Sequence, residues 1–198
     1  MTIGSLYDSN NVVVGQAAVF FAPKDTALPA LTAWNTADPF DPTFWTTPTW
    51  TPCGATDQGW TFGANKSTQT IDIEEQTTPV ATTITTQAVQ ISGALSEDVS
   101  KTLALVYNAT LTATAAVTGT SPGYDTLTLT DTPIIYALGM VTVNAEGFGR
   151  IIYAPRWTQL SNASTAFRRA AAKRDYPVQF DTVCATDLIR IINFTASK

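Results

Sequence analysis

The 198-residue sequence contains no histidine, two cysteines and few charged side chains. Histidine is the commonest general base near neutral pH and the commonest metal ligand, so its absence excludes the usual zinc centres and removes the usual catalytic base. Charged residues make up only 14% of the chain. The composition therefore argues against an enzyme and against a bound metal or cofactor.

Long apolar runs are missing as well. No stretch of about 18 apolar residues occurs, and the opening MTIGSLY lacks the basic start and apolar core of a signal peptide. We therefore expect a protein that is made in a cytoplasm and does not enter a membrane. In that compartment Cys53 and Cys184 are expected to be buried free thiols, although one long-range disulfide is the alternative.

Threonine, by contrast, is abundant, with 35 residues. Its β-branched side chain disfavours helices and suits strands with polar faces. The length fits one domain spanning residues 1–198. Alternating or β-branched runs predict strands at 11–23, 60–62, 67–75, 82–91, 109–117, 126–130, 134–144, 148–155, 178–184 and 188–194.

The run 11–23 is apolar throughout and predicts a strand that is buried on both faces. Residues 67–75 instead alternate, with Ile71 and Ile73 on one side, and predict a strand with one wet face. A turn at 77–79 would join this strand to 82–91 in a long hairpin. The wet face would carry Thr70, Asp72 and Glu74.

Acidic side chains in this strand could also be interpreted as a calcium or catalytic site. Adjacent strand residues point to opposite faces, however, so of the three acids Asp72, Glu74 and Glu75 only the first two share a side. A solvated acidic face is the favoured interpretation. Residues 63–67 resemble the end of a phosphate-binding loop, but the spacing of glycine and lysine does not fit that motif.

Residues 97–108 predict an amphipathic helix, with Ser96 as N-cap and two acids in its first turn. One helix among many strands indicates a mainly β or α+β arrangement. Residues 164–174 carry a weaker signal for a second, short helix with a basic end.

A long segment at 24–52 interrupts the strand pattern. Its five prolines forbid regular ladders, and its large aromatic side chains argue against disorder. We expect an ordered loop whose aromatic residues contact another subunit. These aromatics are Trp34, Phe40, Phe44, Trp45 and Trp50.

Charge is divided unevenly along the chain. Residues 1–149 hold three Lys/Arg against 13 Asp/Glu, a net of −10, whereas residues 150–198 hold eight against three, a net of +5. Opposite charges on one subunit allow identical copies to meet head to tail, although two separately solvated faces are the alternative. The candidates for such a contact are Asp38 and Asp41 opposite Arg168, Arg169, Lys173 and Arg174. The basic cluster could instead bind nucleic acid, but no aromatic stacking platform interleaves it.

Several segments in order resemble the major tail proteins of siphophages, particularly those of phages that infect actinobacteria. They are TIGSLYDS near the start, GATDQGW, IDIEEQ, the Thr/Gln strand and the SED-capped helix within 54–108, then TLTLTD, RRAAAKRDY and PVQFDTVC. The ordered combination carries the resemblance, and it covers most of the chain.

The resemblance implies two packed antiparallel sheets in a sandwich or barrel-like fold with one flanking helix. It implies that six copies close a ring and that rings stack into a tail tube through which double-stranded DNA leaves the capsid. Implied partners are other copies of the chain, the tape-measure protein, and the tail terminator and distal tail proteins. The implied location is the virion.

Other functions remain as alternatives. A capsid decoration or receptor-contacting virion protein would share the threonine-rich β composition but would stay monomeric or trimeric. A glycosidase would need a carboxylate pair, and a lectin-like module would need exposed tryptophans.

Overall fold

The computed structural model describes residues 17–34, 40, 42–45, 50–71, 81–143, 149–160, 175–185 and 188–194. Helical segments in these residues are a 3-10 helix at Leu31–Ala33, α1 at Pro42–Trp45 and α2 at Ser100–Val106. The strands are β1 Ala17–Pro23, β2 Thr51–Pro52, β3 Thr56–Ile71, β4 Ala81–Leu95, β5 Ala109–Thr114, β6 Tyr124–Leu129, β7 Ile135–Val143, β8 Gly149–Gln159, β9 Tyr176–Thr182 and β10 Arg190–Asn193.

Eight of these strands form one antiparallel sheet in the order β2-β1-β7-β8-β9-β4-β3, and β10 pairs with β8 beside this path. Strand β8 has β7 along one side, while β10 pairs with its first half and β9 with its last three residues on the other. Strands β5 and β6 form a separate two-stranded sheet. The prediction of a mainly β fold with two antiparallel sheets and a helix is confirmed.

The main hydrophobic core lies between one face of the large sheet and α2. Strand β1 contributes to both faces, since Val19 packs in this core and Phe20 in a second cluster behind the sheet. The predicted burial on both faces is therefore confirmed for 17–23, while residues 11–16 of the predicted strand lie outside the described residues. The largest fully buried side chains of the main core include Ile91, Leu95, Leu105, Leu138, Trp157 and Phe180.

The second cluster lies on the other face and is covered by aromatics from the proline-rich segment. Trp45 stacks on Phe20 with ring centroids 4.6 Å apart, and Trp34 stacks on Phe194 at 4.5 Å. Trp34, Trp45 and the neighbouring Phe44 and Trp50 are all buried by their own chain. The prediction that these aromatics contact another subunit is therefore wrong for these four: they cover an apolar sheet face that would otherwise be exposed.

Helix α2 begins at Ser100, not at Glu97 as predicted. The residues expected to cap it are engaged elsewhere, because the Glu97 carboxylate accepts a hydrogen bond from the Ala55 amide at 3.0 Å and the Ser96 amide donates to the Ala55 carbonyl at 2.8 Å. The N-cap position is occupied by Val99, whose side chain makes no cap bond. Tertiary contacts thus override the local capping signal.

Candidate assembly surfaces

The hairpin of β3 and β4 extends far beyond the core. At its base Val89 and Ile91 are buried, but every residue of 64–71 and 81–88 is exposed. We call these two stretches the distal arm. At about 3.3 Å per residue, its eight residues per strand project roughly 26 Å from the body.

Backbone pairing and threonine hydroxyls hold the distal arm together. The strands pair from Ala64 opposite Val89 to Ile71 opposite Ala81, with one irregularity between Ser67 and Thr68. The Thr85 hydroxyl donates to the Ser67 carbonyl at 3.1 Å. No apolar layer covers either face, so within the described chain the arm is a two-stranded ribbon in solvent.

The long hairpin predicted from the sequence is confirmed, but the predicted burial of one face is wrong for the single chain. Ile71 is 47% exposed and Ile84 57% exposed. Alternation from Phe62, which packs against the core, places Thr70 on the face that is buried at the base of the arm and Ile71 on the other. Neither face of the arm has a partner among the described residues.

Most of the predicted contact residues lie outside the described residues. Thr70 is described and is exposed opposite Thr82. Its role in a tube lumen stays a prediction. The same holds for the predicted lumen residues and inter-ring residues that the structure does not describe, which are Asp72, Glu74, Asp38, Asp41, Arg168, Arg169, Lys173 and Arg174.

A second surface is an apolar groove between the β1–β7 edge and the α2–β5 region. It consists of two adjoining depressions, of about 790 and 420 Å³, which share Phe21, Thr51, Ile134 and Tyr136 as lining. The Phe21 and Tyr136 rings meet edge to face, with centroids 5.6 Å apart. We call this feature the apolar groove. Sequence reasoning missed it because its lining comes from segments far apart in the chain.

Two lysines flank the apolar groove. Lys24 lines one depression and Lys101 lines the other. Burial raises the pKa of Tyr136 above its ordinary value, so this ring presents a neutral hydroxyl at physiological pH. The groove is thus apolar along its floor and positively charged at its rim.

The turn after β1 is fixed by an ion pair. The Arg156 guanidinium donates to both carboxylate oxygens of Asp25, at 2.7 and 2.9 Å. These hydrogen bonds hold the pKa of Asp25 below its usual value. Asp25 therefore interacts most strongly with Arg156, and the charge of neighbouring Lys24 lowers the pKa of Asp25 further.

Neither cysteine forms a disulfide, as predicted, and the predicted burial is confirmed for Cys53. Cys53 is fully buried, and this burial raises the pKa of its thiol far above the ordinary value. Cys184 is half-buried. Buried neutral Cys53 behaves as a small apolar core side chain.

Two further findings concern metal binding and membrane-spanning helices. Within them, no three His, Cys, Asp or Glu side chains come together in a way that could hold a metal ion. None of the described helices has both the length and the hydrophobicity required to cross a bilayer.

The fold and these surfaces define a β-rich protein with an extended ribbon and an apolar groove on its surface. A comparison with protein families agrees. The chain belongs to the phage tail tube protein family, whose model matches residues 5–191. No match was found among curated proteins.

Proposed function

We propose that the protein is the building block of a phage tail tube that acts without catalysis. Copies close into rings, hexameric as the resemblance to siphophage tail proteins implies, and the rings stack into a conduit for double-stranded DNA. Family membership supports the structural role. Ring number and DNA passage are part of the proposal.

The observation that carries the proposal is the uncovered distal arm. A two-stranded ribbon is marginally stable in water, and an open strand edge invites pairing with another chain. The outer edge of β3 is unpaired in the described chain, since β3 pairs only with β4. Association with neighbouring subunits would cover Ile71 and Ile84 and pair this edge, as closure of a sheet into a ring does.

Polar chemistry on the arm suits a surface past which DNA slides. The distal arm carries threonine hydroxyls and a single charged residue, Lys66. The segment 72–80 that follows β3 adds three acids and no base. Few cations leave phosphates few anchoring points, which keeps friction low.

Shortening the arm tests this function. In one variant residues 68–85 are replaced by Asn-Gly, which closes tight hairpins, so that the paired residues Ser67 and Thr86 flank the turn. In a control variant the equally exposed connection 115–123 of the β5–β6 hairpin is replaced in the same way. We expect tubes with a regular axial repeat by negative-stain microscopy for wild type and control, and monomers with an unchanged unfolding midpoint for the arm variant.

Two results would count against the proposal. Monomers of the wild type at every concentration and salt, even with the tape-measure protein present, would overturn the tube function. Normal tubes from the arm variant would leave the proposed function standing but would show that assembly does not need the arm.

A further inference from the structure

The rim of the apolar groove holds most of the positive charge in a long acidic stretch of the chain. Residues 1–149 contain three Lys/Arg against 13 Asp/Glu, and two of the three, Lys24 and Lys101, line the groove. Both lysines are exposed. No acid is among the described residues that line the two depressions, since Asp25 and Asp131 only adjoin the lining in sequence. The rim of the groove is therefore suited to an anion.

The groove itself is lined mainly by apolar side chains. Phe21 and Tyr136 belong to both depressions, and Leu105 and Leu111 continue the apolar lining towards α2 and β5. Depressions of about 790 and 420 Å³ have the size of small-molecule sites, in which a mostly apolar wall holds the ligand and a few polar groups fix its orientation. Methylene groups buried against these rings would be removed from water, which favours binding of an alkyl chain.

We propose that the apolar groove binds a free single-chain amphipathic anion, of which a fatty-acid carboxylate is the simplest example. The alkyl chain lies against Phe21 and Tyr136, and the carboxylate pairs with the ammonium group of Lys24 or Lys101 at the rim. Burial raises the pKa of Tyr136, so its hydroxyl stays protonated and adds no negative charge that would repel the ligand. The site belongs to the single subunit and does not depend on the proposed tube function.

The shape of the site favours a free amphiphile over a membrane surface. Proteins that bind to the surface of a bilayer insert protruding apolar side chains between the lipids. Here the aromatic rings of Phe21 and Tyr136 line a concave groove instead. A concave groove encloses one chain, and the lysines at its rim remain in contact with water.

Calorimetric titration of the purified chain with decanoate, kept below its micelle-forming concentration, tests the site. We expect one decanoate per subunit, and weaker binding of decan-1-ol, which has the same chain length but no charge. Lys24→Gln with Lys101→Gln should weaken decanoate binding about three- to tenfold, as expected for the loss of exposed ion pairs, and should leave decan-1-ol binding unchanged. Lys66→Gln is the matched control, since Lys66 is exposed on the distal arm and should not affect either ligand.

Filling the groove is the second test. Thr51 lines both depressions, so Thr51→Phe places a ring where the alkyl chain would lie. This variant should lose binding of decanoate and of decan-1-ol alike, whereas Thr118→Phe, at an exposed position outside the lining, should bind both as wild type does. Unfolding midpoints of all variants check that the subunit stays folded.

Several results would overturn the proposed site. Equal affinities for decanoate and decan-1-ol, or wild-type decanoate binding by the double lysine variant, would show that the rim does not recognise the charge. Sedimentation of the protein with phosphatidylglycerol vesicles, without binding of free decanoate, would indicate a membrane surface as the ligand. Decanoate binding that is lost when tubes form would show that a second copy occupies the groove. Decanoate binding by a wild-type chain that forms no tubes would support the site and overturn only the tube function.

Discussion

At the residue scale, two glycines make room for the aromatic cover of the outer sheet face. A Cβ added at Gly139 would lie 2.7 Å from the Trp45 ring, and one added at Gly149 would lie 2.5 Å from the Trp34 ring. Both distances are far below van der Waals contact, so the indoles lie directly on the strand backbone. The aromatic cluster therefore depends on the absence of a side chain at Gly139 and Gly149 as much as on the two tryptophan rings.

Gly139→Ala is expected to destabilise the fold. Overpacking of this kind typically costs about 1–3 kcal/mol because the displaced ring leaves its preferred position. At roughly 2–4 °C per kcal/mol for a chain of this size, the thermal midpoint should fall by about 2–12 °C. Gly63→Ala is the matched control, since a Cβ there meets nothing within 4 Å. Equal midpoints for the two variants would show that Trp45 tolerates the methyl group.

The sequence could not have revealed these contacts. The pattern at 134–144 predicts β7 closely, but nothing local indicates that Gly139 faces a tryptophan. The partner arrives from the proline-rich segment, which has no periodicity from which its path could be derived. Composition correctly indicated that aromatics of this segment are packed, but it assigned Trp34, Phe44, Trp45 and Trp50 to the wrong surface.

At the element scale, Asn108 connects the end of α2 to the start of β7. Its backbone has a φ of 52°, which asparagine tolerates better than most residues. The Asn108 side-chain carbonyl accepts a hydrogen bond from the Ile134 amide at 2.8 Å, and its amide donates to the Thr132 carbonyl at 3.3 Å. One side chain therefore stops the helix and fixes the strand that follows the β5–β6 hairpin.

Asn108→Ala should lower the free energy of unfolding by about 1–3 kcal/mol, because the Ile134 amide loses its acceptor. The left-handed backbone adds a further penalty for alanine. Asn108→Gly separates the two causes, since glycine accepts the backbone angle but lacks the amide. Denaturant unfolding should rank wild type above glycine and glycine above alanine. A glycine variant as stable as wild type would show that the side-chain bonds contribute nothing.

The local sequence pattern misses different features of helix α2 and of the distal arm. The end of α2 is close to the expected position, whereas its start moves because Ser96 and Glu97 are engaged by the loop before β3. The pattern of the arm correctly gives strands and a hairpin. The sequence pattern could not predict how far Ile71 is buried, since its burial depends on surfaces that a single chain does not supply.

The lumen prediction for the arm can be tested by charge reversal. Asp72→Lys with Glu74→Lys should leave tube formation largely intact but slow DNA ejection, because phosphates would meet cations along the bore. Virions carrying these changes can be compared with wild type in an ejection assay, with Thr70→Ser as a neutral control on the same predicted face. Unchanged ejection would place Asp72 and Glu74 away from DNA.

At the scale of the whole molecule, the division of charge predicts salt-sensitive growth. If acidic and basic regions of successive rings attract each other, screening within about 10 Å at 0.1 M salt should slow elongation. Each exposed pair contributes only roughly 0–1 kcal/mol, but a ring repeats each contact. Arg168→Ala with Arg169→Ala should flatten the salt dependence of elongation measured by light scattering. Equal slopes for variant and wild type would show that this cluster does not steer stacking.

The strand order also has a consequence for the time course of synthesis. Strand β1 pairs with β7, and residues 24–134, 111 in all, separate them. At about 5–20 residues per second on the ribosome, β1 waits roughly 6–22 s for the strand that will cover its edge. The hairpin of β3 and β4, by contrast, is complete within one continuous stretch, 56–95, before its neighbour β9 exists. The part of the molecule with the least core is therefore made early, and the sheet that anchors it can close only when the last strands have emerged.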